Sequence, residues 1–369
     1  MRMKIVSGMM LSAIMIVSLA APVFPEEAAD VAGTTVAMIS RVSSGTADAY
    51  DYYGAREFAS AWNVEISYNK PTMTGQTKSE KQSEEAETEA SSEDLHTDAA
   101  VQRDEISEQL KDASVDALCI SAEQSDHINN KLKQAVDMGI PVITWGSDVD
   151  PASRNIMVAP DSSENMGKML VRLGVDCLNQ RDVKAESDPV QYCWLSSGKE
   201  TAEEAEWKKA GDEYISENYE NWEKAADDGK KAIRDLKNID VILYTDQEIL
   251  MEQLEVLDSK NLTQDDITVT GFGSPSKIKK YGSDELIYEW GYWDRQLEGA
   301  VACYVAAYLG AGNHVHVGDV ISVPYMGDYK IYENSVISRS AGTGEINSGV
   351  ILLNEPLLLT DENADKFCF

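Results

Sequence analysis

The chain has 369 residues, of which 43% are hydrophobic and 26% charged; this is enough to bury the cores of about two domains and excludes an intrinsically disordered protein. Its formal charge of -32 at pH 7 argues against nucleic acid or an anionic membrane as partner, because phosphate binding depends on lysine and arginine. The five cysteines are odd in number and widely spaced, which excludes a disulfide framework and predicts small buried hydrophobic residues.

The amino terminus has the layout of a secretory signal peptide. Two basic residues precede an apolar stretch at 5–21 that ends in Ala20 and Ala21. The stretch is interrupted by serines and is shorter than the ~20 strongly apolar residues that a spanning helix prefers. We therefore predict export with removal of residues 1–21 rather than a membrane anchor. The predicted location is the periplasm, with secretion or attachment to the cell envelope as alternatives.

After the leader, apolar strand-like runs alternate with helical patterns. The predicted strands are 35–40, 64–68, 115–121, 141–145, 156–158, 190–195, 241–244 and 268–271. The predicted helices include 126–138, 203–215, 225–236 and 299–309. This alternation is typical of βαβ units, so we predict two α/β lobes in tandem, each with a parallel sheet.

One segment breaks this alternation. Residues 74–98 are rich in Ser, Thr, Glu, Gln and Lys and contain almost no large apolar side chain. The composition predicts a disordered acidic insertion, since long surface loops cost little closure entropy. A tolerated insertion is favoured over a segment that binds a partner.

Polar and aromatic residues follow several predicted strands, where open α/β sheets bind their ligands. Carboxylates, amides and guanidinium groups bind sugar hydroxyls, and aromatic faces cover the C–H side of a sugar ring. The candidate ligand-binding residues are Arg41, Trp145, Ser147, Asp148, Glu203, Trp207, Thr245, Asp246, Gln247 and Asp294. Two interpretations stay open for Trp145 (ligand contact or core) and for Asp294 (ligand contact or hinge support), while Arg154 is expected to form an ion pair within its lobe.

Motifs for metal, cofactor or catalytic chemistry are weak. His314 and His316 form an isolated H-x-H pair, which is a poor zinc signal. The Gly271-Phe272-Gly273 run is followed by Ser274-Pro275, which interrupts a dinucleotide-binding fingerprint. We therefore expect no metal, no cofactor and no catalytic residue. A hydrolase or isomerase that uses the cleft carboxylates remains the rival class.

Several short sequence motifs taken together resemble those of a known family. They are the run from Ala135 to Ser147-Asp148, the run from Val269 to Pro275, and Tyr292-Trp293-Asp294 with Gly299. This combination is similar to the type I periplasmic sugar-binding proteins, in the branch that contains rhamnose-binding and furanosyl-autoinducer-binding proteins. The likeness covers nearly all of the mature chain except the acidic insertion.

The resemblance implies two Rossmann-like lobes with parallel sheets, joined by a three-segment hinge that closes on ligand. It predicts lobes at 34–146 plus 298–324 and at 147–297 plus 325–369. It implies a monomer that is not an enzyme and that delivers a sugar to the permease of an ABC transporter. A sensory protein that signals to a receptor or histidine kinase is the alternative, because the fold is shared.

The chain departs from the pattern of that branch at four places. Gly146 stands where the branch has an acid, and Arg41 stands where the autoinducer binders have a lysine. The pair Glu203-Glu204 replaces Asp-Gln, and Thr245-Asp246-Gln247 replaces Pro-Asp-Ala. These changes predict a ligand other than the furanosyl autoinducer. The hypotheses are an unbranched or differently substituted sugar, or an amino sugar balanced by the acids.

Overall fold

The computed structural model describes residues 30–42, 47–69, 98–123, 125–181, 189–196, 200–225, 239–283, 285–337, 348–354 and 356–367. The predicted leader, the acidic insertion except Asp98 and the predicted helix at 225–236 except Ala225 lie outside these ranges. Asp98 is the first residue of a helix rather than part of a loop.

The secondary structure alternates between strands and helices as the sequence predicts. The strands are β1 (Thr35–Ile39), β2 (Glu65–Asn69), β3 (Ala117–Ile120), β4 (Val142–Trp145), β5 (Ile156–Ala159), β6 (Val190–Leu195), β7 (Trp222–Lys224), β8 (Val241–Tyr244), β9 (Thr268–Gly271), β10 (Trp290–Tyr292), β11 (Val320–Val323), β12 (Gly327–Tyr332), β13 (Gly349–Leu352) and β14 (Leu357–Leu359). The helices are α1 (Ala47–Trp62), α2 (Asp98–Gln109), α3 (Asp126–Asp137), α4 (Ser163–Asn179), α5 (Ala202–Asn218), α6 (Gln247–Ser259), α7 (Pro275–Ser283) and α8 (Arg295–Gly310). Single 3-10 turns lie at Pro151–Ser153, Asn334–Val336 and Ala364–Phe367.

The first sheet has the spatial order β2-β1-β3-β4-β5-β13-β12-β11. Strands β1 to β5 and β13 are parallel to one another, and β12 and β11 add an antiparallel edge next to β13. The central strands β3, β4 and β5 are buried along their whole length, as expected when helices cover both faces of a parallel sheet. Helix α8 packs on β1, β3, β4 and β5 and closes this core.

The second sheet has the order β7-β6-β8-β9 and is entirely parallel. A short antiparallel pair, β10 with β14, continues it through a bridge between Phe272 and Gly291. Helix α4 packs against α5, β8 and β9 and so belongs to this half of the molecule. The chain therefore folds into two α/β lobes, which confirms the predicted fold class.

Among the elements that the structure describes, three connections carry the chain from one sheet to the other. They connect β5 to α4, β10 to α8, and β13 to β14. Strands β5 and β13 pair with the first sheet, although the predicted limits put 156–159 and 349–352 in the second lobe. Because hydrogen bonding decides to which sheet a strand belongs, we propose that the first lobe includes β5 and β11 to β13. The lobe limits themselves remain a prediction.

A buried ion pair joins β4 to β5 and β13 within the first lobe. Arg154 Nε and Nη2 lie 2.6 and 2.7 Å from the two carboxylate oxygens of Asp148. Arg154 Nη1 donates to the Gly349 carbonyl at 3.0 Å, and the Arg154 side chain is fully buried. The pair satisfies two charges that would otherwise be costly in the core.

Helices α1 and α8 approach each other closely at two glycines. A β-carbon built on Gly299 would lie 2.0 Å from the Asp51 carbonyl oxygen, and one built on Gly54 would lie 2.0 Å from that of Gln296. Backbone atoms cannot move aside as a flexible side chain can. The crossing of these helices therefore requires glycine at both positions.

Replacing Gly299 with alanine should lower the free energy of unfolding by about 2–3 kcal/mol, because the new methyl group forces α1 and α8 apart. Chemical denaturation in urea measures the change. Gly310→Ala in the same helix is the matched control, since the nearest atom to its new β-carbon is the Asp116 β-carbon at 3.2 Å. Equal effects of the two substitutions would contradict the proposed close contact.

Four cysteines, Cys119, Cys177, Cys193 and Cys303, are free and buried. Each lies in a strand or helix of a core. Burial raises the pKa of the Cys177 and Cys303 thiols to about 12. They act as the small hydrophobic residues that the sequence predicts.

Candidate ligand-binding site

A cavity of about 430 Å³ lies between the two lobes, at the carboxyl ends of strands from both sheets. Residues that follow β1, β4 and β8 line it, together with the first residues of α5 and α8. This is the position at which open α/β sheets bind ligands. The volume falls within the range of small-molecule sites.

The first-lobe wall carries two arginines. Arg41 follows β1, and Arg295 begins α8. The Arg295 guanidinium forms a bidentate ion pair with Asp51 of α1, with Nη2 to Oδ2 at 2.6 Å and Nε to Oδ1 at 3.1 Å. Asp51 is fully buried, so this pair fixes the guanidinium against the wall. Arg295 therefore lines the cavity with a guanidinium of fixed orientation.

Gly146 lies against the Arg295 guanidinium. A β-carbon on Gly146 would lie 3.4 Å from Arg295 Nη2, which is an ordinary contact distance. The φ of Gly146 is 63°, in the left-handed region that favours glycine, so another residue here would strain the backbone. The branch that this chain resembles has an acid at this position. In this chain the position is Gly146, which lies against Arg295.

Glu298 connects the two walls from a fully buried position in α8. Its Oε1 accepts from the Gly146 N–H at 2.9 Å, and its Oε2 accepts from Trp293 Nε1 at 2.8 Å. Arg295 Nε lies 3.5 Å from the same Oε2. One carboxylate thus holds the end of β4, the start of α8 and an aromatic ring of the cavity wall.

The second-lobe wall begins at the amino terminus of α5. Thr201 caps this helix: its hydroxyl accepts from the Glu204 N–H, and Glu204 Oε2 accepts from the Thr201 N–H at 2.7 Å. This reciprocal arrangement is a capping box. It fixes the start of α5, where both Glu203 and Glu204 line the cavity.

The segment after β8 supplies three more polar residues, Thr245, Asp246 and Gln247. Asp246 caps α6, and its Oδ1 accepts from the Glu248 and Ile249 N–H groups. Gln247 Oε1 accepts from the Ser274 N–H at 2.5 Å. Thr245 is buried, and its hydroxyl has no hydrogen-bond partner in the structure. A bound hydroxyl group could provide that partner.

Three aromatic rings form one cluster in the cavity wall. The ring centroids of Trp207 and Phe272 are 5.6 Å apart, those of Phe272 and Trp293 are 5.5 Å apart, and those of Trp207 and Trp293 are 6.4 Å apart. All three pairs meet edge to face. We call these three residues the aromatic platform. Such a platform can pack against the C–H face of a sugar ring.

Two carboxyl groups at the start of α5 have perturbed pKa values. Burial, followed by the nearby Asp148 carboxylate, raises the pKa of Glu203 to about 7. Burial, with added repulsion from Asp246, Glu200 and Glu203, also raises the pKa of Glu204 to about 7. Both groups therefore exchange protons near neutral pH.

The raised pKa of Glu203 predicts a pH dependence of stability. The folded state holds the Glu203 proton more tightly than the unfolded state. The stability that this proton contributes is therefore fully present below pH 4.5 and is lost as the pH rises through 7. Glu203→Gln does not titrate. Its unfolding free energy, relative to the parent protein, should rise by about 2–3 kcal/mol between pH 4.5 and pH 8.

Urea unfolding at the two pH values measures this difference. Glu217→Gln, at an exposed glutamate of the same helix, is the matched control and should give the same difference at both pH values. A pH-independent difference for Glu203→Gln would contradict the assignment.

Six of the ten residues predicted from the sequence line the cavity. They are Arg41, Glu203, Trp207, Thr245, Asp246 and Gln247. The structure brings these residues together from three separate stretches of the chain, as the positions of the strand ends predict. Their contact with ligand remains a prediction.

The other four predicted residues do not line the cavity. Trp145 is fully buried in the core of the first lobe, and the Ser147 hydroxyl donates to the Ala122 carbonyl at 2.8 Å. Asp148 is held by Arg154 in the ion pair described above. Asp294 caps α8 by accepting from the Gln296 and Leu297 N–H groups. Each has an internal partner or a packing role that keeps it out of the cavity wall.

Sequence reasoning missed several residues of the wall. Arg295, Gln296, Phe272, Trp293 and Glu204 line the cavity without being among the predicted ligand residues. The available signal was position: Arg295 and Gln296 directly follow the helix cap Asp294, and Phe272 directly follows β9. The first residues after a strand or cap face the same edge of the sheet.

In the ranges that the structure describes, no group of three or more His, Cys, Asp or Glu side chains is arranged to hold a metal ion. Among the described helices, none combines the length and the apolar composition that a membrane-spanning helix needs.

Comparison with known proteins identifies relatives of this chain. The family described as periplasmic binding protein domain matches residues 29–314. LsrB from Clostridium saccharobutylicum, solved in complex with AI-2, is 30% identical, with a TM-score of 0.77 and coverage of 91% of this chain and 100% of that chain.

Two more distant structures share the fold. A solute-binding protein of an ABC transporter from Clostridium phytofermentas, with bound L-rhamnose, has a TM-score of 0.71 at 19% identity and covers 91% of this chain and 98% of its own. A carbohydrate transporter solute-binding protein from Agrobacterium radiobacter, in complex with D-arabinose, has a TM-score of 0.65 at 12% identity. The match covers 92% of this chain and 99% of that chain.

Proposed function

The chain belongs to the periplasmic binding protein family, and from this premise we propose that it captures a sugar or sugar-like molecule between its lobes and delivers it to an ABC transporter. It is a solute-binding protein and not an enzyme. The observation that carries the proposal is the composition of the cavity. An aromatic platform lies in the same wall as buried carboxylates, and guanidinium groups lie in the opposite wall.

This arrangement matches what a sugar offers. A sugar ring presents an apolar C–H face, which packs on Trp207, and a rim of hydroxyl groups that both donate and accept hydrogen bonds. Arg295 and Arg41 donate from the first lobe, and Glu203 accepts from the second. A ligand that contacts both walls favours the closed arrangement of the lobes.

The wider setting of the proposal follows from the family. The family acts outside the cytoplasm, and we propose the periplasm as the compartment and the monomer as the functional form. The partner that we propose is an ABC transporter permease. A sensory role would require a receptor or histidine kinase in its place. Neighbouring genes that encode a permease and an ATPase would favour transport.

A thermal-shift screen of the mature protein tests the proposal. The panel contains pentoses, hexoses, deoxy sugars, amino sugars and polyols, and it includes AI-2, L-rhamnose and D-arabinose, which are bound in the similar structures. A ligand that binds only the folded state at 100 times its Kd stabilises it by about 2.7 kcal/mol. We expect one sugar class to raise Tm by several degrees. The absence of a shift with every sugar would overturn the proposal.

A further inference from the structure

We propose that the ligand of this cavity carries a protonated amine, bound at the second-lobe wall by Glu203, Glu204 and Asp246, so that the ligand class is an amino sugar. The inference rests on the proposed function, since it concerns the same cavity. It specifies where the positive charge of the ligand lies. The neutral part of the sugar then lies toward the aromatic platform and the first-lobe arginines.

The first support is a buried carboxyl group in which one oxygen lacks a hydrogen-bond partner. Glu203 is only 8% exposed, and its Oε2 is buried with no hydrogen-bond partner in the structure. Burying an ionised carboxylate without a partner is costly, so such groups in proteins are paired or bound to a ligand. Glu203 lines the cavity, and a ligand is the partner that it lacks.

The second support is the distribution of cations around these acids. Lys208 pairs with Glu200 at 2.5 Å, Arg154 pairs with Asp148, and Arg295 pairs with Asp51. Among the described side chains, no lysine or arginine forms an ion pair with Glu203, Glu204 or Asp246. Over the whole cavity lining, five carboxylates face three cationic side chains. A positively charged ligand balances this excess, whereas a sugar acid would increase the repulsion.

The third support is the shape of the aromatic cluster. The three rings of the aromatic platform pack on one another edge to face, with centroids 5.5–6.4 Å apart. Each ring is thus a partner of the other two, whereas Glu203 has a buried oxygen without a partner. The platform therefore suits the C–H face of a ring, and the amine is directed to the carboxylates.

Because of the two glutamates, proton release can distinguish the binding of an amine from the binding of a neutral sugar. Burial and neighbouring carboxylates raise the pKa of Glu203 and of Glu204 to about 7, so both are partly protonated at neutral pH. An ammonium group beside them favours the ionised form and releases their protons. Amine binding should therefore release protons at pH 7, and binding of a neutral sugar should not.

Isothermal titration calorimetry at pH 7 tests the inference. The probes are hexosamines with the amine at carbon 2, 3 or 6, each matched with its neutral parent hexose, and with N-acetyl-D-glucosamine as the neutral amide. At least one hexosamine should bind ten or more times as tightly as its neutral parent. Titration in two buffers of different ionisation enthalpy should show proton release for that hexosamine alone.

Two variants remove charge while keeping shape. Glu203→Gln retains the side-chain length, and Asp246→Asn retains a good cap for α6, since Asn and Asp cap helices equally well. Each should lower the preference for the hexosamine over its parent by at least fivefold. Glu217→Gln, at an exposed position of α5 outside the cavity, should leave the preference unchanged.

The outcomes separate this inference from the proposed function. If neutral hexoses bind as tightly as every hexosamine, the amine assignment is overturned and sugar capture stands. If no sugar of either kind binds, both fail. If the preference persists in Glu203→Gln and in Asp246→Asn, the amine lies elsewhere and the assignment to these carboxylates is wrong.

Discussion

Replacing Arg154 with methionine should lower the free energy of unfolding by about 3–5 kcal/mol. The substitution leaves the Asp148 carboxylate buried without its counter-charge, since both of its oxygens are within 2.7 Å of Arg154 nitrogens. It also removes the donor to the Gly349 carbonyl that ties β13 to this pair. Urea denaturation at pH 7 measures the loss.

The double variant Asp148→Leu with Arg154→Met is the control. Removing both charges should recover a large part of the lost stability, because an apolar pair of similar volume often replaces a buried ion pair without cost. The same set tests whether Asp148 binds ligand. If Arg154→Met changes stability by less than 1 kcal/mol but abolishes sugar binding, the pair belongs to the ligand site and not to the core.

Replacing Trp207 with alanine should weaken sugar binding by about 100-fold, which is close to 3 kcal/mol. Trp207 belongs to the aromatic platform and lines the cavity, and the alanine variant removes one of the three rings of this wall. Trp207→Phe retains an aromatic face and should lose less. Calorimetric titration with the best sugar of the panel measures both.

A matched control separates binding from folding. Trp222 is an aromatic residue of the same lobe that packs against Tyr192 and Tyr219, away from the cavity. Trp222→Ala should lower stability and leave affinity unchanged. Similar losses of affinity in Trp207→Ala and Trp222→Ala would show that the effect comes from the fold of the lobe rather than from ring stacking.

The strands of both sheets could be predicted from the sequence because they are short apolar runs between turn signals. The runs at 190–195, 241–244 and 268–271 coincide with β6, β8 and β9. The antiparallel edge formed by β11 and β12 could not be predicted from the sequence. Its strands alternate between buried and exposed residues over only a few positions, which is too short a pattern to identify.

The wall of the cavity was only partly predictable, for a physical reason. The residue after a parallel strand is often also the cap of the next helix, and an aspartate there serves either role. Asp294 caps α8 without lining the cavity, whereas Asp246 caps α6 and lines it. Trp145 shows a related ambiguity, because a strand that is buried on both faces gives no alternation to indicate which way a side chain points.

Arg295 was missed because its role depends on residues far away in the sequence. The guanidinium reaches the cavity through its ion pair with Asp51 and the space above Gly146, which are 244 and 149 positions away. Nothing local to Tyr292-Trp293-Asp294 indicates such contacts. Only the packing of α1 against α8, made close by Gly54 and Gly299, brings these groups together.

Sugar capture between the lobes is tested most directly by calorimetric titration of the mature protein with the best sugar of the panel, followed by mass spectrometry of the recovered sugar. We predict saturable binding of one sugar per chain, strongly weakened in Trp207→Ala, with the sugar recovered unchanged. No saturable binding by any sugar, or equal affinity in Trp207→Ala, would contradict capture in this cavity.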